Sequence, residues 1–165
     1  GIGVEVTKPV IAAINGHCIG VGLVISFMSD IRIAAEDANL SYPEAKIGYT
    51  GGVGSLLADV VPMGVAMEML LVGDAITAQR AYEVGLANRV VAKDQLMAEA
   101  EKMAEKIANN APMVVNTLKK FARDTNIMRN AGIGNRMISA LDKSEDRHEG
   151  FRAFLEKRPP KFQGK

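Results

Sequence analysis

Two stretches of this chain hold residue types that could do chemistry. The first, Asn15-Gly16-His17-Cys18-Ile19-Gly20-Val21-Gly22, sets three glycines at a strand-to-helix connection, where peptide N–H groups can approach a ligand closely. A dinucleotide fingerprint requires a further glycine three residues after Gly22, and that position is Ile25. A P-loop requires a Gly-Lys-Ser/Thr ending, which this stretch lacks. An oxyanion hole requires only N–H groups at a helix N-terminus facing the charge that develops on a carbonyl oxygen. Each such donor is worth roughly 3 kcal/mol in the transition state. A tight turn leading onto a buried helix uses the same glycines with no chemistry at all.

The second stretch is Ser41-Tyr42-Pro43-Glu44-Ala45-Lys46-Ile47-Gly48. A carboxylate placed just after a strand and ahead of a glycine loop can face a pocket and act as a general base. A solvated glutamate, with Lys46 as its partner, is the other reading of the same residues. His17 lies in the glycine stretch and His148 in a charged helical one, and no Ser-His-Asp triad assembles around either. Cys18 has no neighbour in sequence that would stabilise a thiolate, so it reads as a small buried residue. The nine methionines, several of them between Met63 and Leu71, read as core filling.

These residues need elements to hold them. The apolar run Val10 to Ile14, bounded by Pro9 and Asn15-Gly16, predicts a buried strand. Gly22 to Ser29 is apolar nearly all round and predicts a helix packed deep in a core. Ile31 to Ala35 and Asn39 to Tyr42 predict two more strands around Glu36-Asp37, the second stopped by Pro43. After the loop Thr50 to Gly54, helices are expected over Ser55 to Val61 and Met63 to Val72, the latter ended by Gly73. Thr77 is the expected N-cap of a helix over Ala78 to Val84, followed by a strand over Ala87 to Val91. From Lys93 onward the pattern is helical: Gln95 to Asn109, Pro112 to about Arg123, Met128 to Leu141 and Glu145 to Lys157. The organisation is an α/β part over residues 1–92 and an all-α part over residues 93–165.

Composition narrows the function. Twenty Lys and Arg against 19 Asp and Glu leave a net charge of +1, which gives nucleic acid or an anionic membrane no global attraction. With 48% hydrophobic residues across 165, the chain can bury a sizeable core, and no apolar run approaches the length of a bilayer span. A lone cysteine and the lack of Cys/His clusters at metal-ligand spacing suit a reducing compartment, cytoplasm or organelle matrix, and argue against structural zinc. The first residue is glycine and an apolar strand follows almost at once, so an N-terminal portion is expected to precede Gly1.

Several separated segments together resemble the crotonase (enoyl-CoA hydratase/isomerase) family. Lys8 to Gly22 with Asp30 to Ala34 is similar to its glycine-turn signature, and Tyr42-Pro43-Glu44 with Ile47-Gly48 to its second active-site element. Leu71 to Val91 and Ser144 to Lys165 resemble later blocks of the same family. The resemblance implies stacked ββα turns forming a spiral, with C-terminal helices that mediate trimers or dimers of trimers. It implies an acyl-CoA thioester as substrate, with no cofactor beyond the coenzyme A that the substrate carries. Two backbone N–H groups would stabilise an enolate, one at Val21 between Gly20 and Gly22, the other from a segment preceding Gly1. Of the two glutamates that the family's hydratases use, one falls on Glu44 and the other on Val24, where no proton transfer is possible. Losing a positioned acid or base typically costs about 10²- to 10⁴-fold. A single carboxylate therefore favours double-bond isomerisation, as in family isomerases that also have an apolar residue there. Phe154 and Lys157 match positions that line the coenzyme A pocket. The other expectation is a non-catalytic or divergent acyl-CoA-binding subunit of the same fold.

Overall fold

A computed structural model describes residues 6–124 and 131–165. The chain divides into two compact units, Val10–Lys102 and a second made of Gly1–Pro9 with Met103–Lys165.

The first unit is built from two three-stranded sheets. Strands β1 (Ile11–Ile14), β3 (Ile31–Ala35) and β6 (Arg89–Val91) form one, in the order β1-β3-β6 with both pairings parallel. Strands β2 (His17–Ile19), β4 (Asn39–Ser41) and β5 (Ile76–Thr77) form the other, with β2 parallel to β4 and β5 antiparallel to it. Ile11 pairs with Ile31 and His17 with Asn39, so the second turn of chain repeats the path of the first and lies on it strand by strand. This is the ββα spiral that the family resemblance implies. Asp30 locks the start of both turns: its carboxylate accepts the Val10 N–H at 2.8 Å while its own N–H donates to the Val10 carbonyl at 2.9 Å.

Helix α1 (Val21–Met28) follows β2, and α2 (Met63–Leu71) and α3 (Ala78–Glu83) follow β4 and β5. Thr77 caps α3 as expected, its hydroxyl accepting the Arg80 N–H at 3.1 Å. The core is aliphatic: Leu23, Ile33, Leu40, Leu57, Met69 and Leu86 are fully buried. Arg32 is buried among them, where its guanidinium donates to the carbonyls of Ser29 and Leu86, so the charge is matched by backbone dipoles.

Helices α4 (Leu96–Ala108), α5 (Pro112–Arg123), α6 (Ala131–Asp142) and α7 (Glu145–Leu155) make up the rest of the described chain. They fall where the periodicity predicts them, except that α7 stops at Leu155 rather than Lys157; the expected start of α6 at Met128 lies outside the described residues. Ser144 caps α7 by accepting the Arg147 N–H.

Several expectations are corrected. The glycine stretch contains strand β2, so four strands rather than three precede Glu44. Cys18 points inward between the exposed His17 and Ile19, an alternation too short to stand out in the sequence. Helix α1 is not enclosed all round, because Val21 and Ile25, one turn apart, are 72% and 60% exposed. The helix after the glycine loop is of the 3-10 type and spans Val53–Asp59 instead of the expected Ser55 to Val61, and Pro43–Ile47 forms another 3-10 helix. Among the methionines of α2, Met69 fills the core while Met63 and Met67 are exposed.

Candidate active site

The register of β2 on β4 builds the site. Ile19 lies opposite Ser41, and the next N–H, that of Gly20, donates to the Ser41 carbonyl at 3.0 Å. The glycine turn is thereby fastened beside Tyr42-Pro43-Glu44. Gly20 has φ 56° and ψ −116°, a backbone that only glycine adopts without strain. It also has no room for a side chain, since a β-carbon there would stand 2.6 Å from Glu44 Oε1. The two stretches singled out by chemistry thus meet at one point.

Gly20 ends the turn as the N-cap of α1 and offers that helix no side-chain hydrogen bond. Its carbonyl accepts the Val24 N–H at 3.0 Å. The Val21 N–H, one of the first donors of the helix, has no acceptor among the described residues. Gly22 is exposed, and a β-carbon there would meet nothing within 4 Å. Val24 is buried on α1.

Glu44 sits in the first turn of the 3-10 helix Pro43–Ile47 and is half-buried. Its Oε2 is buried and accepts no hydrogen bond from the described residues. Desolvating a carboxylate oxygen without a donor costs free energy, so such an atom calls for an explanation in function. Lys46 does not relieve it: the alternative reading made Lys46 its partner, but the Lys46 ammonium pairs with Asp74 at 2.6 Å.

The turn carrying Glu44 lies against residues that the sequence marked only as the end of a loop and the stop of a helix. Gly54 lies against the buried ring of Tyr42, where a β-carbon would come within 2.6 Å of the hydroxyl oxygen. Gly73, just past α2, lies where a β-carbon would stand 3.1 Å from Pro43 Cα. The Lys46–Asp74 pair adds a further tie between the turn and the segment after α2, and no local motif could have revealed these long-range contacts.

Cys18 is buried, and that burial pushes its thiol up despite a hydrogen bond with Ser26, so it is not poised as a nucleophile. His17 is exposed at the start of β2. Among the described residues no three His, Cys, Asp or Glu side chains gather as metal ligands, and no helix is long and apolar enough to cross a membrane.

The remaining sequence candidates lie in the second unit. Phe154 is 80% exposed on α7, and Lys157 lies just beyond that helix with φ 51°. An open cleft of about 590 Å³ lies alongside α7, lined by Phe151, Leu155, His148 and Arg147 among others.

The ββα spiral, in which β1 pairs with β3 and β2 with β4, defines the class of fold, and comparison with known proteins places it in a family. The chain belongs to the enoyl-CoA hydratase/isomerase family, whose sequence profile matches residues 4–165. It is 39% identical over 162 residues to the (E)-benzylidenesuccinyl-CoA hydratase of Thauera aromatica, covering 95% of this chain and 63% of that protein. It is 35% identical to the 2,3-dehydroadipyl-CoA hydratase of Escherichia coli K12, covering 96% of this chain and 64% of that protein. An enoyl-CoA hydratase structure from Bacillus anthracis superimposes with a TM-score of 0.92 at 35% identity, covering 98% of this chain and 64% of that one. This chain therefore spans a little under two thirds of the length of these relatives.

Proposed function

We propose that the protein acts on an acyl-CoA thioester through an enolate, with Glu44 as its acid/base group. The observation that carries this reading is Glu44 Oε2, buried without a donor beside the helix cap at Gly20. A carboxylate oxygen kept free of donors is available to take a proton from substrate. The Val21 N–H, without an acceptor of its own, supplies one oxyanion donor where α1 begins. Gly20 and Gly22 keep that approach clear of side chains.

The preferred reaction is double-bond isomerisation. Glu44 removes a C2 proton from a 3-enoyl-CoA, and the electron pair delocalises from C2 through the carbonyl, whose oxygen accepts from Val21. Glu44 returns the proton at C4, which leaves the double bond between C2 and C3. One carboxylate suffices, in keeping with Val24 where a second would stand. The hydratase names of the relatives favour addition of water instead. Supplying 2-enoyl- and 3-enoyl-CoA separately decides between them, and faster hydration would overturn the isomerase assignment.

Phe154 and Lys157 are assigned to coenzyme A, the ring to its apolar or adenine surface and the ammonium to phosphate. Assembly into trimers through the C-terminal helices belongs to the same reading and is checked by light scattering. Glu44→Gln is expected to abolish turnover with folding unchanged by circular dichroism, whereas retained turnover would overturn the role of Glu44. Calorimetric binding of a non-hydrolysable acyl-CoA by protein that turns over neither substrate would favour the binding-subunit alternative.

A further inference from the structure

Among the described residues, Lys157 is the only one other than glycine with a positive φ, 51°. It occupies a position that glycine normally takes. Helix α7 ends with the Lys157 N–H donating to the Phe154 carbonyl at 3.3 Å and the Arg158 N–H to the Ala153 carbonyl at 3.1 Å. These two bonds form a Schellman motif, which puts the residue after the C-cap in the left-handed region. A side chain there strains the backbone, and such strain persists only where the surroundings impose it.

The surroundings here are specific. Arg158, the next residue, grips Glu149 with both terminal nitrogens, Nη1 at 2.7 Å and Nη2 at 3.0 Å, and its Nε donates to Glu156 at 2.6 Å. Glu149 also accepts the Lys161 N–H at 2.9 Å and pairs with Arg152 at 3.2 Å. The chain on the far side of Lys157 is thereby tied back to α7 one turn and more before its end. A bidentate guanidinium–carboxylate pair fixes orientation as well as distance. Lys157 itself is exposed and takes part in no ion pair among the described residues.

We propose that Glu149 and Arg158 are positioning residues: they hold Lys157 in its left-handed conformation so that its ammonium meets the 3′-phosphate of coenzyme A. This rests on the acyl-CoA reading above and extends it to two residues that would touch no ligand. A glycine at 157 would relax the turn, but it would have no cation to present.

The test measures calorimetric affinity for coenzyme A and for 3′-dephospho-coenzyme A in the unsubstituted protein and in Lys157→Gly, Glu149→Gln, Arg158→Gln and Arg158→Lys. The unsubstituted protein is expected to prefer coenzyme A by about tenfold, the scale of one charge-assisted hydrogen bond. Lys157→Gly is expected to lose that preference while its thermal midpoint stays level or rises. Glu149→Gln and Arg158→Gln are expected to lose most of the preference, with dephospho-coenzyme A affinity unchanged and no further loss when combined with Lys157→Gly. Arg158→Lys, which keeps the charge but not the fork, guards against a misfolded glutamine variant and is expected to fall between. Preference retained in folded position-149 and position-158 variants, or equal weakening toward both ligands, would overturn the positioning role alone. Equal binding of the two ligands by the unsubstituted protein would overturn the phosphate contact, and the positioning role with it.

Discussion

Glu44 and Gly20 leave no space between them: the β-carbon that any other residue would carry at position 20 falls 2.6 Å from Glu44 Oε1. A side chain at position 20 would therefore displace the carboxylate.

Gly20→Ala is the sharpest probe of that close approach. The methyl group must push Glu44 aside, and the backbone must hold φ 56° and ψ −116° with a side chain attached, a cost of about 1–3 kcal/mol in folding stability. Because misplacing a catalytic group by about 1 Å can cost on the order of 10²-fold, turnover of enoyl-CoA is expected to fall by at least that much. Urea unfolding and steady-state kinetics on the same preparation separate the two effects.

Gly54→Ala acts one layer behind. Its methyl group would overlap the buried Tyr42 ring, and overpacking of this kind costs about 1–3 kcal/mol. A lowered thermal midpoint, together with reduced turnover in the protein that remains folded, is the expected result. An unchanged midpoint would mean that Tyr42 moves away without cost.

Asp146 is buried and accepts the N–H groups of Gln163 at 2.6 Å and Gly164 at 2.8 Å. Asp146→Ala leaves two backbone donors without their acceptor and is expected to cost about 1–3 kcal/mol. Amide exchange at Gln163 and Gly164, followed by mass spectrometry or NMR, should speed up before exchange in β1 or β3 does.

Glu149 gives a pH signature. Its carboxyl is held at about 2, chiefly by the hydrogen bonds from Arg158 and next by the Lys161 N–H. An unfolded glutamate titrates at about 4.3, so between that pH and about 2 the unfolded chain binds more protons, and acid favours unfolding. The contribution is fully present above pH about 4.3 and is lost as pH falls through about 2. Glu149→Gln is expected to flatten the decline of stability with pH across that window, as read from unfolding midpoints at successive pH values.

Much of this was legible in the sequence, for reasons that particular residues make plain. Strands β1 and β3 and the cap at Thr77 are local features: apolar runs between turn residues, and a hydroxyl ahead of a helix. The candidate site residues Gly20 and Glu44 were also visible as types. Their contact was not, because it follows from the pairing of Ile19 with Ser41, and β2 is only three residues long inside a glycine-rich stretch. The exposure of Val21 and Ile25 was hidden for another reason, since a helix apolar on every side does not say which side meets the core. The Lys46–Asp74 pair joins residues from different elements, beyond the reach of any periodicity. The last helix was expected to run through Lys157, but it ends at Leu155 and Lys157 turns left-handed, with no glycine there to mark the stop.

Cys18 gives this fold a clock. The chain's single sulfhydryl lies inside β2, between the ladder to β4 and the helix that Gly20 caps. An alkylating reagent must wait until that strand parts from its neighbour. The rate of labelling therefore counts the openings of the segment leading into the site, and slower alkylation in the presence of a bound acyl-CoA would measure how far the ligand suppresses them.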